Sequence, residues 1–211
     1  MSTRILVTGA GGFVGRELVR TLSQEYEIWA ITHQSAAPDA AANRCFQIDL
    51  SQPTAASELR ALLPAEPFDT VLHLAAHTPR LGQATLDQLV AANTLGTLRM
   101  LAGLQVPPQR FAYFSTIDVY GNVFDDTILD EQSCVAPSTD YAISKYAAER
   151  VLASWSMAHG LAATIFRLGQ VYGPGDPTNK VIPSFCAAVA AGKPPTISGA
   201  GEDIRQPVNV A

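Results

Sequence analysis

Tyr141 and Lys145 stand four residues apart in Tyr141-Ala142-Ile143-Ser144-Lys145, so a helix puts a phenol and an ammonium on one face, a turn apart. A cation near a phenol favours the phenolate, and a phenolate can take a proton from a substrate hydroxyl. An exposed helix pair without chemistry has the same spacing. Upstream, Ser115-Thr116 offers two hydroxyls where an apolar run ends, followed by Ile117-Asp118-Val119-Tyr120-Gly121. Such a strand end can present ligand contacts or simply cap a turn.

A third pattern, Thr8-Gly9-Ala10-Gly11-Gly12-Phe13-Val14-Gly15, lies between a first apolar run and an amphipathic segment. Gly9 permits a tight strand-to-helix turn, Gly12 lets the backbone approach a pyrophosphate, and Gly15 lets the helix pack closely on the strand. The helix start at Phe13 and Val14 then faces an anion. A flexible turn is the bland alternative, but this context is the one a dinucleotide needs. A bound oxidised nicotinamide would join Lys145 in drawing the Tyr141 pKa down.

The elements that must position these groups alternate. Strands are expected at Arg4 to Thr8, Glu27 to Thr32, Arg44 to Ile48, Phe68 to Leu74, Arg110 to Ser115 and Ala162 to Leu168. Helical patterns cover Phe13 to Gln24, Thr54 to Leu63, Thr85 to Leu104, Thr139 to His159 and Ile182 to Ala191. Several strands are continuously apolar, as suits strands covered on both faces. The fold class is α/β, a doubly wound parallel sheet (Rossmann fold) over residues 1–168, with a partial C-terminal substrate-binding region over 169–211. Gly173-Pro174-Gly175 and Pro194-Pro195 mark the shift.

With 211 residues, 47% hydrophobic and 16% charged, the chain suits a globular protein with a sizeable core. A net charge of -5 with scattered Lys and Arg predicts neither nucleic acid nor anionic lipid as partner. Met1 to Arg4 lead straight into Ile5 to Val7, leaving no room for a signal peptide, and a cytoplasmic location is expected. Cys45, Cys134 and Cys186 lack metal-ligand spacing and read as reduced thiols, with no metal site.

Cofactor choice usually rests on an acid about 20 residues past the glycines, at the end of the second strand. This chain has Thr32-His33-Gln34-Ser35 there, and its next acid, Asp39, follows Pro38. Thr32, His33 and Ser35 are donors suited to a 2′-phosphate, so NAD or NADP is expected with a slight lean to NADP.

Taken together, these motifs resemble the extended short-chain dehydrogenase/reductase superfamily, specifically its NAD-dependent epimerase/dehydratase family. The likeness continues in Asp49-Leu50, in His73-Leu74-Ala75-Ala76, in Asn93-Thr94-Leu95-Gly96-Thr97 and in Arg167 to Gly175. It implies cofactor contacts at Asp49, Leu50, Leu74, Ala75, Ala76, Asn93 and Ser115, besides Tyr141 and Lys145, and it selects Thr116 as the catalytic hydroxyl, with Ser115 as the fallback. Read without the family, His73 is equally a core histidine, Asp49 a turn residue and Asn93 a helix residue bonding nearby backbone. The likeness also implies substrate contacts at Asp118, at Gln170, where an Asn is usual, and at Arg205, suited to a diphosphate. Dehydratases of the family carry an Asp-Glu pair directly after this Thr, whereas Ile117-Asp118 follows here, which disfavours dehydration. Members continue past the point matching Val210-Ala211, so the substrate region is expected to be incomplete.

The expected activity is that of a sugar-nucleotide epimerase-like enzyme, with a nucleotide-sugar or other small molecule as substrate and a homodimer as a possible assembly. A net reductase or dehydrogenase uses the same three residues. A non-catalytic dinucleotide-binding protein is the reading from another class.

Overall fold

A computed structural model describes residues 2–33, 41–78, 84–122, 128–176, 180–197, 199 and 206–211. The chain divides into two compact units, Met1–Leu168 and Gly169–Ala211.

In the first unit the apolar runs become β1 (Arg4–Thr8), β2 (Glu27–Thr32), β3 (Arg44–Gln47), β4 (Thr70–His73), β5 (Arg110–Thr116) and β6 (Ala162–Leu168). All pair in parallel, in the order β3-β2-β1-β4-β5-β6. Side chains alternate across the sheet, so Ile5 and Val7 of β1 join Ile28 and Ala30 under α1 (Phe13–Leu22). Leu6, Trp29 and Ile31 face the opposite core, which α2 (Ala55–Leu62), α4 (Gly96–Gly103) and α5 (Asp140–His159) cover. Burial on both faces explains the unbroken apolar runs. Strand order reverses between β1 and β4, and the crevice at their C-terminal ends is where open α/β sheets hold ligands.

Helix α5 owes its limits to local chemistry. Thr139 caps it by accepting from the Ala142 N–H, and Gly160, at φ 62°, ends it in the left-handed conformation. It thereby fixes Tyr141, Lys145 and Glu149 on successive turns.

The helix expected over Thr85 to Leu104 is not uniform. It comprises α3 (Leu86–Leu89), a wide π turn (Val90–Leu95) and α4. Tertiary bonds hold the widened turn: Arg99 Nη1 donates to the carbonyls of Ala91, Leu50 and Ser51 at 3.2, 3.1 and 2.8 Å. Regular helical periodicity carries no sign of it, because its partners come from β3's end. The strand expected from Phe68 begins only at Thr70, since Asp69 instead turns its carboxylate to the Arg4 N–H at 2.7 Å.

The second unit contains the parallel pair β7 (Val171–Tyr172) and β8 (Val208–Asn209) and the helix α6 (Val181–Ala190). No helix among the described residues is long and apolar enough to cross a membrane.

Candidate active site and cofactor cleft

The three glycines meet three different constraints. Gly9 has φ 69°, and a Cβ there would lie 2.7 Å from the Ala75 nitrogen. At Gly15 a Cβ would lie 2.2 Å from the Gly9 carbonyl oxygen, so α1 can approach β1 only without a side chain. Gly12 has an ordinary extended backbone, and a Cβ would meet only the Gly9 oxygen, at 3.1 Å. Its freedom from a side chain therefore serves the space in front of it. The first backbone bond of α1 is Arg16 N–H to Gly12 C=O, which leaves the N–H groups of Phe13, Val14 and Gly15 ahead of the helical ladder, at its positive end.

In front of this turn is a cleft of roughly 580 Å³. Gly9 and Gly12 form one side, Thr32 and His33 a second, Asp49 and Leu50 a third, and Leu74, Ala75 and Ala76 the fourth. The fold thus gathers nine of the expected cofactor residues around one volume. A nucleotide with an anionic middle fits it: backbone donors, a helix N-terminus and apolar walls surround space that a Cβ would enter. In Gly12→Val we expect NAD+ affinity to fall tenfold or more, at least about 1.4 kcal/mol, with the fold intact because the backbone is unstrained. Equal affinities by calorimetry would show that the pyrophosphate does not lie there.

His33 and Asp49 meet in this wall, His33 Nε2 lying 3.4 Å from Asp49 Oδ2. Burial pushes the Asp49 carboxyl up, but hydrogen bonds from Ser51 and Gln52 and the nearby His33 outweigh it and hold the group below its usual range. The sequence offered no acid at the end of β2; the tertiary structure brings one from beyond β3. Ser35 and Arg205 lie outside the described residues.

His73 and Asn93 do not face the cleft. His73 is 1% exposed, and burial, reinforced by the charge of Lys145, depresses its pKa to about 3. It is neutral, with each nitrogen on a threonine: Nδ1 on Thr8 Oγ1 at 2.6 Å and Nε2 on Thr97 Oγ1 at 3.0 Å. Thr97 donates to the Asn93 carbonyl and Thr8 accepts from the Ala75 N–H, so Thr8 donates to Nδ1 and the proton sits on Nε2. Asn93 is equally committed. Its amide bonds the His77 N–H and C=O at 2.7 and 3.1 Å and donates to Ser144 Oγ at 2.9 Å. With both amide hydrogens used, Asn93 fixes the cleft wall at His77. Ser144 in turn donates to the Tyr141 carbonyl at 2.8 Å.

Thr116 ends β5 and caps the 3₁₀ turn Ile117–Tyr120, its Oγ1 accepting from the Asp118 N–H at 3.2 Å. That bond orients the oxygen and leaves the hydroxyl proton to donate elsewhere. Ser115 points to the other side of the strand, 5% exposed, and donates to Glu149 Oε1 at 2.6 Å, so the fallback hydroxyl and expected cofactor contact is turned into the core. Gly121, at φ 76°, lets the Ala136 carbonyl approach where a Cβ would lie 2.1 Å away, clamping the segment before α5 onto the turn.

Tyr141 is brought beside this turn. Its pKa is raised, not lowered: burial pushes it up, a hydrogen bond with Thr78 opposes, and the Asp118 carboxylate pushes it further up. The expected help from Lys145 is absent because the ammonium is held elsewhere, donating to the Phe114 carbonyl at 2.6 Å and sitting 4.2 Å over the Tyr113 ring. Burial draws Lys145 down to about 7, against the pull of Glu149. Of the expected substrate contacts, Asp118 is exposed next to Tyr141, and Gln170 lies in the second unit, its Nε2 buried without a partner among the described residues. The sequence reading missed Glu149, Arg167, Tyr120 and Thr78; Arg167 and Tyr120 lay in motifs that could have signalled them, and Glu149 and Thr78 did not.

Strand order, glycine turn and switch-point cleft together define a Rossmann domain of the dinucleotide-binding kind. The chain belongs to the NAD dependent epimerase/dehydratase family, whose profile matches residues 5–211. It is 30% identical to dTDP-glucose 4,6-dehydratase of Mycolicibacterium smegmatis (strain ATCC 700084 / mc(2)155), over 98% of this chain and 65% of that protein. The chain thus spans about two thirds of that relative's length. Its fold is similar to that of UDP-N-acetylglucosamine 4-epimerase from Methanobrevibacter ruminantium M1, solved with UDP-N-acetylmuramic acid, with a TM-score of 0.84 and 26% identity over 99% of this chain and 69% of that one. It is also similar to dTDP-glucose 4,6-dehydratase from Streptomyces venezuelae, solved with NAD and TYD, with a TM-score of 0.79 and 28% identity over 98% and 68% of the two chains.

Proposed function

We propose that the chain is the cofactor-binding and catalytic part of a nicotinamide-dependent sugar-nucleotide epimerase. The observation that carries this is the placement of the Tyr141 phenol beside the turn that Thr116 caps, on the sheet whose crevice holds the glycine cradle. When bound, the nicotinamide accepts a hydride from a sugar carbon and returns it. Tyr141, made a base as the positive charge of an oxidised ring comes near it, takes the proton of the sugar hydroxyl. Thr116 donates a hydrogen bond to the same oxygen. Lys145 has two N–H donors beyond the one given to Phe114, and those are suited to the ribose. After the resulting ketone turns its other face, Tyr141 gives the proton back.

Dehydration fits less well. Ile117, 44% exposed, occupies the position where family dehydratases have an acid, and an alkyl group has no proton to deliver. The lean to NADP also meets an obstacle, because His33 is already paired with Asp49 and a carboxylate in the cleft wall repels a 2′-phosphate. NAD(H) is therefore the cofactor we assign.

Incubation with NAD+ and UDP- or dTDP-linked sugars, followed by NMR, tests the reaction. A C4 epimer without net NADH is expected. A 4-keto-6-deoxy product would assign dehydration instead, and NADH accumulating with ketone would assign a dehydrogenase. Dissociation constants for NAD+ and NADP+ measured side by side test the cofactor; a tenfold preference for NADP+ would overturn it.

A further inference from the structure

Glu149 carries a buried charge that the reaction above does not use. It is 2% exposed and lies one helical turn beyond Lys145 on α5. The two side chains grip consecutive residues of β5: Lys145 Nζ donates to the Phe114 carbonyl, and Glu149 Oε1 accepts from the Ser115 hydroxyl, each at 2.6 Å. From β6, Arg167 donates to Oε1 through Nε at 3.2 Å and to Oε2 through Nη2 at 2.8 Å. The same guanidinium donates through Nη1 to the Tyr120 hydroxyl at 2.8 Å, on the 3₁₀ turn that begins just after Thr116. One carboxylate therefore joins α5, β5, β6 and the turn.

We propose that Glu149 is a positioning residue for the reaction assigned above, an inference that rests on that assignment: it ties the strand end bearing Thr116 to the helix bearing Tyr141 and, one turn from Lys145, favours the charged form of that lysine. A buried ammonium needs a nearby anion to stay charged. The groups around Lys145 offer few. His73 from β4 is neutral, and Tyr113 from β5 presents its ring, its own hydroxyl being held well above the usual range by burial, with Tyr141 and Glu149 adding to it. Tyr141 on α5 stays a phenol, and Asp118 on the turn acts on Tyr141. Arg167 and Tyr120 spend their polar atoms on Glu149 and on each other. Glu149 is the carboxylate among the described residues that acts on Lys145, and its pull opposes the burial that draws the lysine down to about 7. Without it, burial acts on Lys145 unopposed, and the lysine loses its charge and one of its donors over more of the neutral range.

The chain has only three lysines, at 145, 180 and 193, so 15N-labelled lysine gives a short, assignable set of side-chain signals. Titrating the ligand-free chain should show Lys145 changing charge near neutrality. Glu149→Gln should move the Lys145 midpoint down by about one pH unit or more. If that variant fails to fold because Arg167 is left unpaired, Glu149→Gln combined with Arg167→Met removes both charges, and the midpoint should stay low in a folded protein. Should both fail to fold, Glu149→Asp, whose charge sits one methylene further away, should show a smaller drop. An unchanged Lys145 midpoint in whichever variant folds would overturn the proposal. Because no cofactor or substrate is present, that result is distinct from failure of the epimerase assignment, which would appear in the wild-type chain as no NAD(H) binding, a 4-keto-6-deoxy product or NADH accumulating with ketone.

Discussion

Tyr141→Phe is expected to lower turnover by about 10³-fold or more while NAD(H) binding stays within a factor of two to three, a loss in the range of a general acid–base group. Tyr141 is half-buried beside the 3₁₀ turn, and Phe preserves that packing. What disappears is the hydroxyl bonded with Thr78 and facing Asp118. Since burial and Asp118 both hold Tyr141 protonated, the resting residue is an acid, and it becomes a base only when positive charge gathers near it. Ultraviolet titration of the phenol should therefore show an alkaline-shifted Tyr141 in the free protein and a lower one with NAD+ bound, and the lower one should govern the pH profile of kcat. The rates are to be measured in the form of the protein that turns over a sugar nucleotide. Turnover near wild type in Tyr141→Phe would remove Tyr141 from the mechanism. Lowered NAD(H) affinity of the same size would reassign it to cofactor binding.

A second large effect is expected in acid. His73 titrates at about 3 in the folded chain against 6.5 as a free side chain. The unfolded chain therefore gains a proton at His73 as pH falls through 6.5, and the folded chain does not until about 3. This contribution to stability is complete above pH 6.5 and is lost through that window, at about 1.4 kcal/mol per pH unit. Between pH 7 and 4.5 the loss comes to roughly 2–3 kcal/mol. Carboxylates such as Asp49 also lose stability in acid, so the informative quantity is the difference between wild type and His73→Gln, which does not titrate. That difference, from urea unfolding, should shrink by the stated amount between the two pH values. A constant difference would mean that His73 takes up its proton in the folded chain, and that the Thr8–His73–Thr97 bonds are looser than their distances imply.

Strands, helices and glycine turn were legible because each is written in neighbouring residues. β1, β2 and β6 run between the residues expected, and α5 starts after Thr139, whose side chain caps it. The glycine spacing shows where the backbone must turn sharply and where helix and strand must touch. The family likeness added Thr116 and the cleft walls. Element ends were less legible: the strand over Phe68 to Leu74 shortens because Asp69 bonds Arg4, across a span of 65 residues.

Local pattern by itself thus determined a doubly wound α/β chain, a phosphate-sized turn after its first strand and a phenol one turn from an ammonium. Tertiary structure decided which way those groups face. Whether His73 was a core histidine or a site residue depended on Thr8 and Thr97, and Asn93 was claimed by His77 and Ser144. The acid missing from the end of β2 came from Asp49, beyond another strand. Lys145, expected to serve Tyr141, is bonded to Phe114 and acted on by Glu149. Each of these outcomes is a hydrogen bond or charge contact between elements far apart in the chain. A buried polar group takes whichever partner the packed sheet and helices bring within about 3 Å, and the order of residues does not state that partner.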